Sequence, residues 1–189
     1  MKRLVTVPIL VLMSLWGLAA SASAGLLSGT FDGDATLTPV SPGIYTQSFT
    51  GDGDDVTYGA FTPSSTSTID FSKPPQILIS DGMLLMTFTQ GNLFGTGSGG
   101  GTASGNGTAT FTIDFVITGG TGLFAGALGE ATLMGTITQT SPTTETISNG
   151  TYTGSFVVPE PSTLILLSPA VALGAVVLVR QRRRKAVDH

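Results

Sequence analysis

The chain contains no cysteine, so no disulfide and no thiol chemistry is open to it. Its single histidine, His189, is the last residue. Imidazole general bases and the commonest metal ligand are therefore missing from everything before it. Ser–His and Cys–His nucleophilic systems are excluded on the same ground. Cations are nearly as scarce: of the eight Lys and Arg, only Lys73 lies between residues 25 and 157. The same stretch carries Asp32, Asp34, Asp52, Asp54, Asp55, Asp70, Asp81, Asp114, Glu130 and Glu145, for a net charge of −9. A surface of that sign repels phosphate, which excludes nucleic acid as a partner. The one tryptophan, Trp16, sits near the N-terminus, and the body has only Tyr45, Tyr58 and Tyr152 besides its phenylalanines. Sugar-stacking platforms draw on Trp and Tyr, so the phenylalanines are expected to fill a core instead.

The two ends read as addresses. Lys2-Arg3, the apolar run Leu4 to Ala20 and the small residues Ala22-Ser23-Ala24 before Gly25 have the order of an export signal, residues 1–24, with cleavage at Ala22, Ala24 and Gly25. At the other end Val158-Pro159-Glu160-Pro161 precedes sixteen uncharged residues, 164–179, ten of them Leu, Ile or Val. At about 1.5 Å per residue such a helix would rise about 24 Å, close to a membrane span. Arg180, Arg182, Arg183, Arg184 and Lys185 follow, and a basic flank stays on the cytoplasmic side. The expected topology places the C-terminus inside and the body outside. Pro159 and Pro161 hold the intervening segment extended, and Glu160 marks the outer edge of the apolar run.

This tail, residues 158–185, resembles the bacterial PEP-CTERM sorting signal in all three of its parts: the Pro159-Glu160-Pro161 tripeptide (motif 158–163), the apolar segment 164–179 and the basic cluster 180–185. The resemblance implies processing by the membrane enzyme exosortase near that tripeptide. It also implies transient anchorage in the inner membrane and delivery to the surface or exopolysaccharide matrix of a Gram-negative cell.

The body, residues 25–157, is long enough for one domain with a core. Thr, Val, Ile and Phe alternate with small and polar residues in short runs broken by Gly, Pro, Asn and Asp, the period of strands. Candidate strands are 27–31, 44–50, 56–62, 67–71, 77–80, 83–89, 108–118, 129–139 and 150–157. With no amphipathic helix among them, the expected fold is all-β: a single antiparallel barrel or sandwich of about eight to nine strands.

Gly95 to Gly107 holds seven glycines in thirteen residues and is expected to be a flexible loop. The Gly-x-Gly-x-x-Gly string from Gly95 to Gly100 inside it lacks a following helix, so no dinucleotide site is expected. Ile117 to Gly129, with its Gly119-Gly120-Thr121-Gly122 turn followed by Phe124, Ala127 and Gly129, resembles the motif of the allene oxide cyclase and dirigent barrels. That resemblance implies an eight-stranded barrel. It carries no catalytic residue over, because those sites use arginine and the body has none.

Asp52-Gly53-Asp54-Asp55 offers hard oxygens at a spacing that suits a calcium ion, and Asp32-Gly33-Asp34 repeats the theme. Neither has the pattern of an EF-hand, and Gly-Asp runs between strands are commonly turns. Asn106-Gly107 and Asn149-Gly150 are both expected at hairpin turns. These residues point first to an exported structural or binding protein without cofactor, not an enzyme, with exosortase and exopolysaccharide as partners. A small-molecule binder or cyclase-like enzyme is the second reading, favoured if Asp114 and a tyrosine faced an open cavity. A calcium-dependent adhesin using Asp52, Asp54 and Asp55 is the third.

Overall fold

The structure is a computed structural model that describes residues 22–159. Residues 1–21 of the expected export signal, Glu160 and Pro161, the apolar run 164–179 and the basic residues 180–185 lie outside the described residues. Among the described residues no helix is long and apolar enough to cross a membrane.

Eight strands run β1 (Ala22–Ser41), β2 (Ile44–Asp55), β3 (Gly59–Asp70), β4 (Gln76–Phe88), β5 (Gly91–Ser104), β6 (Thr108–Gly120), β7 (Leu128–Ser141) and β8 (Thr144–Pro159). Each pairs with the next in antiparallel register, and β8 closes on β1. The result is an up-and-down barrel, which leaves no edge strand to recruit another chain. One 3₁₀ turn, η1 (Gly122–Phe124), interrupts the β6–β7 connection.

Alternation assigns the faces. In β1, Leu27, Phe31, Ala35 and Leu37 are buried while Ser28, Thr30, Asp32, Asp34 and Thr36 are exposed, as a period of two requires. The same rule holds in β4 and β8 until a bulge inserts an extra residue. Between Ile79 and Gly82 the register against β5 shifts, with Asp81 at φ 51°. Between Met134 and Thr136 of β7 the partner positions on β8 jump from Thr151 to Ser148, with Asn149 at φ 53°. Each bulge reverses which parity faces inward: Ile77 and Ile79 are buried before the first, Met86 and Phe88 after it.

Eight strands lie within the expected eight to nine, and the first correction concerns the boundaries of the candidate segments. Segments 77–80 and 83–89 are one strand, β4, because its alternation changes phase midway. Segments 56–62 and 67–71 fall largely within β3, where Pro63, lacking an N–H, coincides with a gap in the ladder to β2 between Thr50↔Ser64 and Gly53↔Phe61. Asn149-Gly150 is likewise a bulge within β8 and not a hairpin turn, whereas Asn106-Gly107 does form the β5–β6 turn.

The second correction concerns Gly95–Gly107. Residues 95–104 are not a loop: they belong to β5, paired with β4 and β6 on either side. Leu93, Gly95, Gly97, Gly99, Gly101 and Ala103 fall on its inward face, so most of that face has no side chain at all. A Cβ on Gly99 would meet the Thr112 carbonyl and stand 2.7 Å from the Ile113 Cα. The missing side chains leave the interior beside β5 to Phe111, Ile113 and Phe115 of β6. Gly99→Ala is therefore expected to destabilise the barrel by about 1–3 kcal/mol through overpacking. Gly105→Ala, at a tip with nothing within 4 Å, is expected to be close to neutral. Equal urea midpoints for the two variants would return this segment to a flexible loop.

Candidate functional site

The interior is where a barrel of this size can hold a ligand, and here it is largely occupied. At the end where β1 begins and β8 ends, the Gly119–Gly122 turn folds inward and seats Phe124 at 0 % exposure. Its ring lies 5.0 Å from Tyr58, 5.2 Å from Phe88 and 5.7 Å from Phe156. Phe61 continues this packing, 5.0 Å from Phe88 and 5.5 Å from Tyr152. Gly122, at φ 61°, lets the chain turn there, and its missing Cβ spares the Gln90 carbonyl.

Two polar clusters are enclosed with these rings. Asp55, 2 % exposed, accepts four hydrogen bonds: from the backbone N–H of Ser28 (3.1 Å), Thr57 (2.8 Å) and Tyr58 (2.9 Å), and from the Tyr152 hydroxyl (2.8 Å). It ties β1, the β2–β3 turn and β8 together at one point. Burial, and then the hydrogen bond to Asp55, push the Tyr152 hydroxyl well above the usual phenol range, so it remains a donor. Burial, followed by the nearby Asp55, raises Tyr58 as well.

The second cluster lies toward the opposite end. Glu145 of β8, 4 % exposed, accepts from the Gln47 Nε2 at 2.9 Å, and Ser67 Oγ donates to Gln47 Oε1 at 3.4 Å. Burial raises the Glu145 carboxyl above the usual carboxylate range, and the Gln47 amide only partly opposes this. A folded-state pKa above the unfolded one means the native state holds the extra proton. Its contribution is thus fully present below the unfolded value of about 4.3 and is lost as pH rises through the raised value. Glu145→Gln should abolish that slope: the variant gains stability relative to wild type near pH 7 and little near pH 4. Parallel denaturation curves at both pH values would read this out.

Between the clusters remains a cavity of about 70 Å³, lined by Phe31, Phe49, Phe61, Phe111, Phe115 and Tyr152 with Gln47, Ser65 and Ser67. Ligand sites typically measure roughly 300–1,000 Å³. Among the described residues no fully buried side-chain nitrogen or oxygen lacks a partner. Asp114, whose inward placement would have favoured a cyclase-like site, faces outward and accepts from Thr132 Oγ1 at 3.1 Å.

The calcium candidates do not converge. Asp52 and Asp54 point outward from β2 while Asp55 points inward, because consecutive strand residues take opposite faces. No group of three or more His, Cys, Asp or Glu among the described residues could hold a metal. The register sets Asp32 directly opposite Asp52, a like-charge pair on the outer wall. Asp32 and Asp34 instead accept from Asn149 N–H (2.9 Å) and Thr146 Oγ1 (3.0 Å) across the β1–β8 seam.

Of the processing residues, Ala22, Ala24 and Gly25 begin β1, and Val158 and Pro159 end β8. Sequence reasoning singled out neither Glu145 nor Tyr152. Glu145 stands out only once β8 is known to extend back to Thr144, since a carboxylate at an inward position of a strand is unusual. Compared with protein-family models, curated proteins and solved structures, the chain has no match.

Proposed function

We propose that this chain is an exported, non-enzymatic barrel that exosortase sorts to the cell surface or the exopolysaccharide matrix. The observation that carries the structural part of this reading is the filled interior: aromatic packing, two self-satisfied polar clusters and a residual cavity of about 70 Å³. The sorting part rests on the tail, which resembles the PEP-CTERM signal. Its geometry is compatible with processing, since the compact unit ends at Val158 and β8 at Pro159. Cleavage at or after Pro159-Glu160-Pro161 would spare every strand pair. The outward faces, rich in Ser and Thr and bearing most of the acidic residues, suit a hydrated polysaccharide environment. The eight-stranded closure is also in keeping with the resemblance to the cyclase and dirigent barrels, taken as a likeness of scaffold only.

The deciding experiment follows a chain tagged within the exposed Asn106-Gly107 turn in cells with and without the exosortase. Mass spectrometry of the surface form is expected to find a C-terminus near residue 161 only when the enzyme is present. A surface form that retains residues 164–179 would overturn the reading.

A further inference from the structure

The two ends of the barrel differ in charge. The end from which β1 starts and β8 leaves is built from residues 25–28, 56–60, 88–92, 119–128 and 155–159, none of which has a charged side chain; Asp55 lies buried just behind Val56, and cleavage before Gly25 would leave its α-amino group as the one cation there. The opposite end has Asp70 and Lys73 at its rim and tips of Ser, Thr, Pro and Asn. On the first of these ends Leu26, Val56, Leu123, Leu128 and Val157 are 71, 84, 56, 53 and 43 % exposed. Val40, Leu78, Met83, Phe94, Val116 and Met134 are exposed as well, on the walls and at the far end, but this rim gathers five large aliphatic side chains where no charged side chain is exposed, the mark of a surface that meets something apolar.

We infer that this rim rests in the outer leaflet interface of the membrane while the chain is still anchored. The inference relies on the proposed membrane insertion of residues 164–179. Five Cα steps join Pro159 to Leu164, a reach of at most about 18 Å. A barrel so tethered is held near the headgroup layer, which is only some 5–8 Å deep on each side of the hydrocarbon. A body with net charge −9 is repelled by anionic lipid wherever its acidic wall faces the bilayer, and of the two ends the tether brings this one to the membrane. The nearest exposed carboxylates, Asp54 and Glu130, stand two residues inboard of Val56 and Leu128, a step of roughly 7 Å. They set the depth: aliphatic tips enter the interface and the acidic wall stays in water. Amphipathic surfaces seat at a similar depth. The processing site, directly after β8, is thereby presented at the membrane surface, where a membrane enzyme could reach it.

Because the chain has no cysteine, single labels are unambiguous. The chain from Gly25 onward, the form that remains once the export signal is removed, is reconstituted in phosphatidylethanolamine and phosphatidylglycerol vesicles and labelled with an environment-sensitive fluorophore at Val56→Cys or Leu123→Cys on the rim. Asn106→Cys and Thr143→Cys serve at the far end. Rim labels are expected to be blue-shifted and quenched several-fold more by lipid-borne quenchers than far-end labels. Adding Val56→Asp to the Leu123→Cys variant should abolish the difference. Equal, water-like signals from both ends in a chain that withstands carbonate extraction would overturn the docking alone. A chain that carbonate strips from the vesicles would overturn the insertion reading and the docking with it.

Discussion

Phe124→Ala is expected to lower the stability of the barrel by about 3–5 kcal/mol, the range for deleting a fully buried aromatic ring. The ring is completely buried and within 6 Å, centroid to centroid, of Tyr58, Phe88 and Phe156. Its truncation removes dispersion contacts on several sides at once, and the backbone around it cannot collapse into the void. Even a Cβ added at Gly120 or Gly122 would run into the Phe124 or Gln90 carbonyl, so the turn is already closely packed. Domains of this size are stable by about 5–15 kcal/mol, so the variant would stand near the edge of folding. Phe124→Leu keeps most of the apolar volume and should lose clearly less. Guanidinium midpoints at constant m-value measure both changes. A loss below about 1 kcal/mol for the alanine variant would mean that the turn does not plug the barrel.

The second large effect is expected at Asp55. Asp55→Ala leaves three backbone N–H groups and the Tyr152 hydroxyl without their acceptor in a buried site, and should cost about 3–5 kcal/mol. Asp55→Asn tests the chemistry more finely, since its shape is nearly unchanged. An amide has one acceptor oxygen where the carboxyl has two, so an NH₂ must face either Ser28 N–H or the pair from Thr57 and Tyr58. Tyr152 can rotate its hydroxyl to accept, but a backbone N–H cannot, and the loss should be about 1–3 kcal/mol. Tyr152→Phe removes one of four donors and should cost about 1 kcal/mol. A double-mutant cycle between Asp55 and Tyr152 should show coupling, because the two share one hydrogen bond. Strictly additive losses would count against the pairing.

The all-β class was legible because Thr, Val, Ile and Phe alternate at the strand period over most of the body, and alternation is a local signal. Strand boundaries were less so. Ser80-Asp81-Gly82 resembles a turn in sequence but is a bulge within β4, and only the two flanking strands, each paired across it, decide that. The glycine run misled for a related reason. Gly95, Gly97, Gly99 and Gly101 have no side chains to show periodicity, and their meaning lies in the phenylalanines of β6 beside them. Asp52, Asp54 and Asp55 look like one ligand group along the chain, yet the pleat sends them to two faces. Glu145 meets Gln47 across 98 positions of sequence, and Asp55 meets Tyr152 across 97, distances over which no local pattern operates.

The sequence by itself determined the chemistry that this protein lacks: with no Cys and no His before residue 189, the body has no thiol or imidazole to use, whatever the fold. It also determined the strand period and the expected addresses at the two ends, because composition and short-range pattern need no partner. Only the tertiary structure decided that the strands number eight and close, that the glycine run is the inner wall against β6, that Asp55 and Glu145 are buried and satisfied, and that one rim exposes no charged side chain. Each of these is a relation between residues far apart in the chain. Closure of the barrel, and not the order of the sequence, brings such residues into contact.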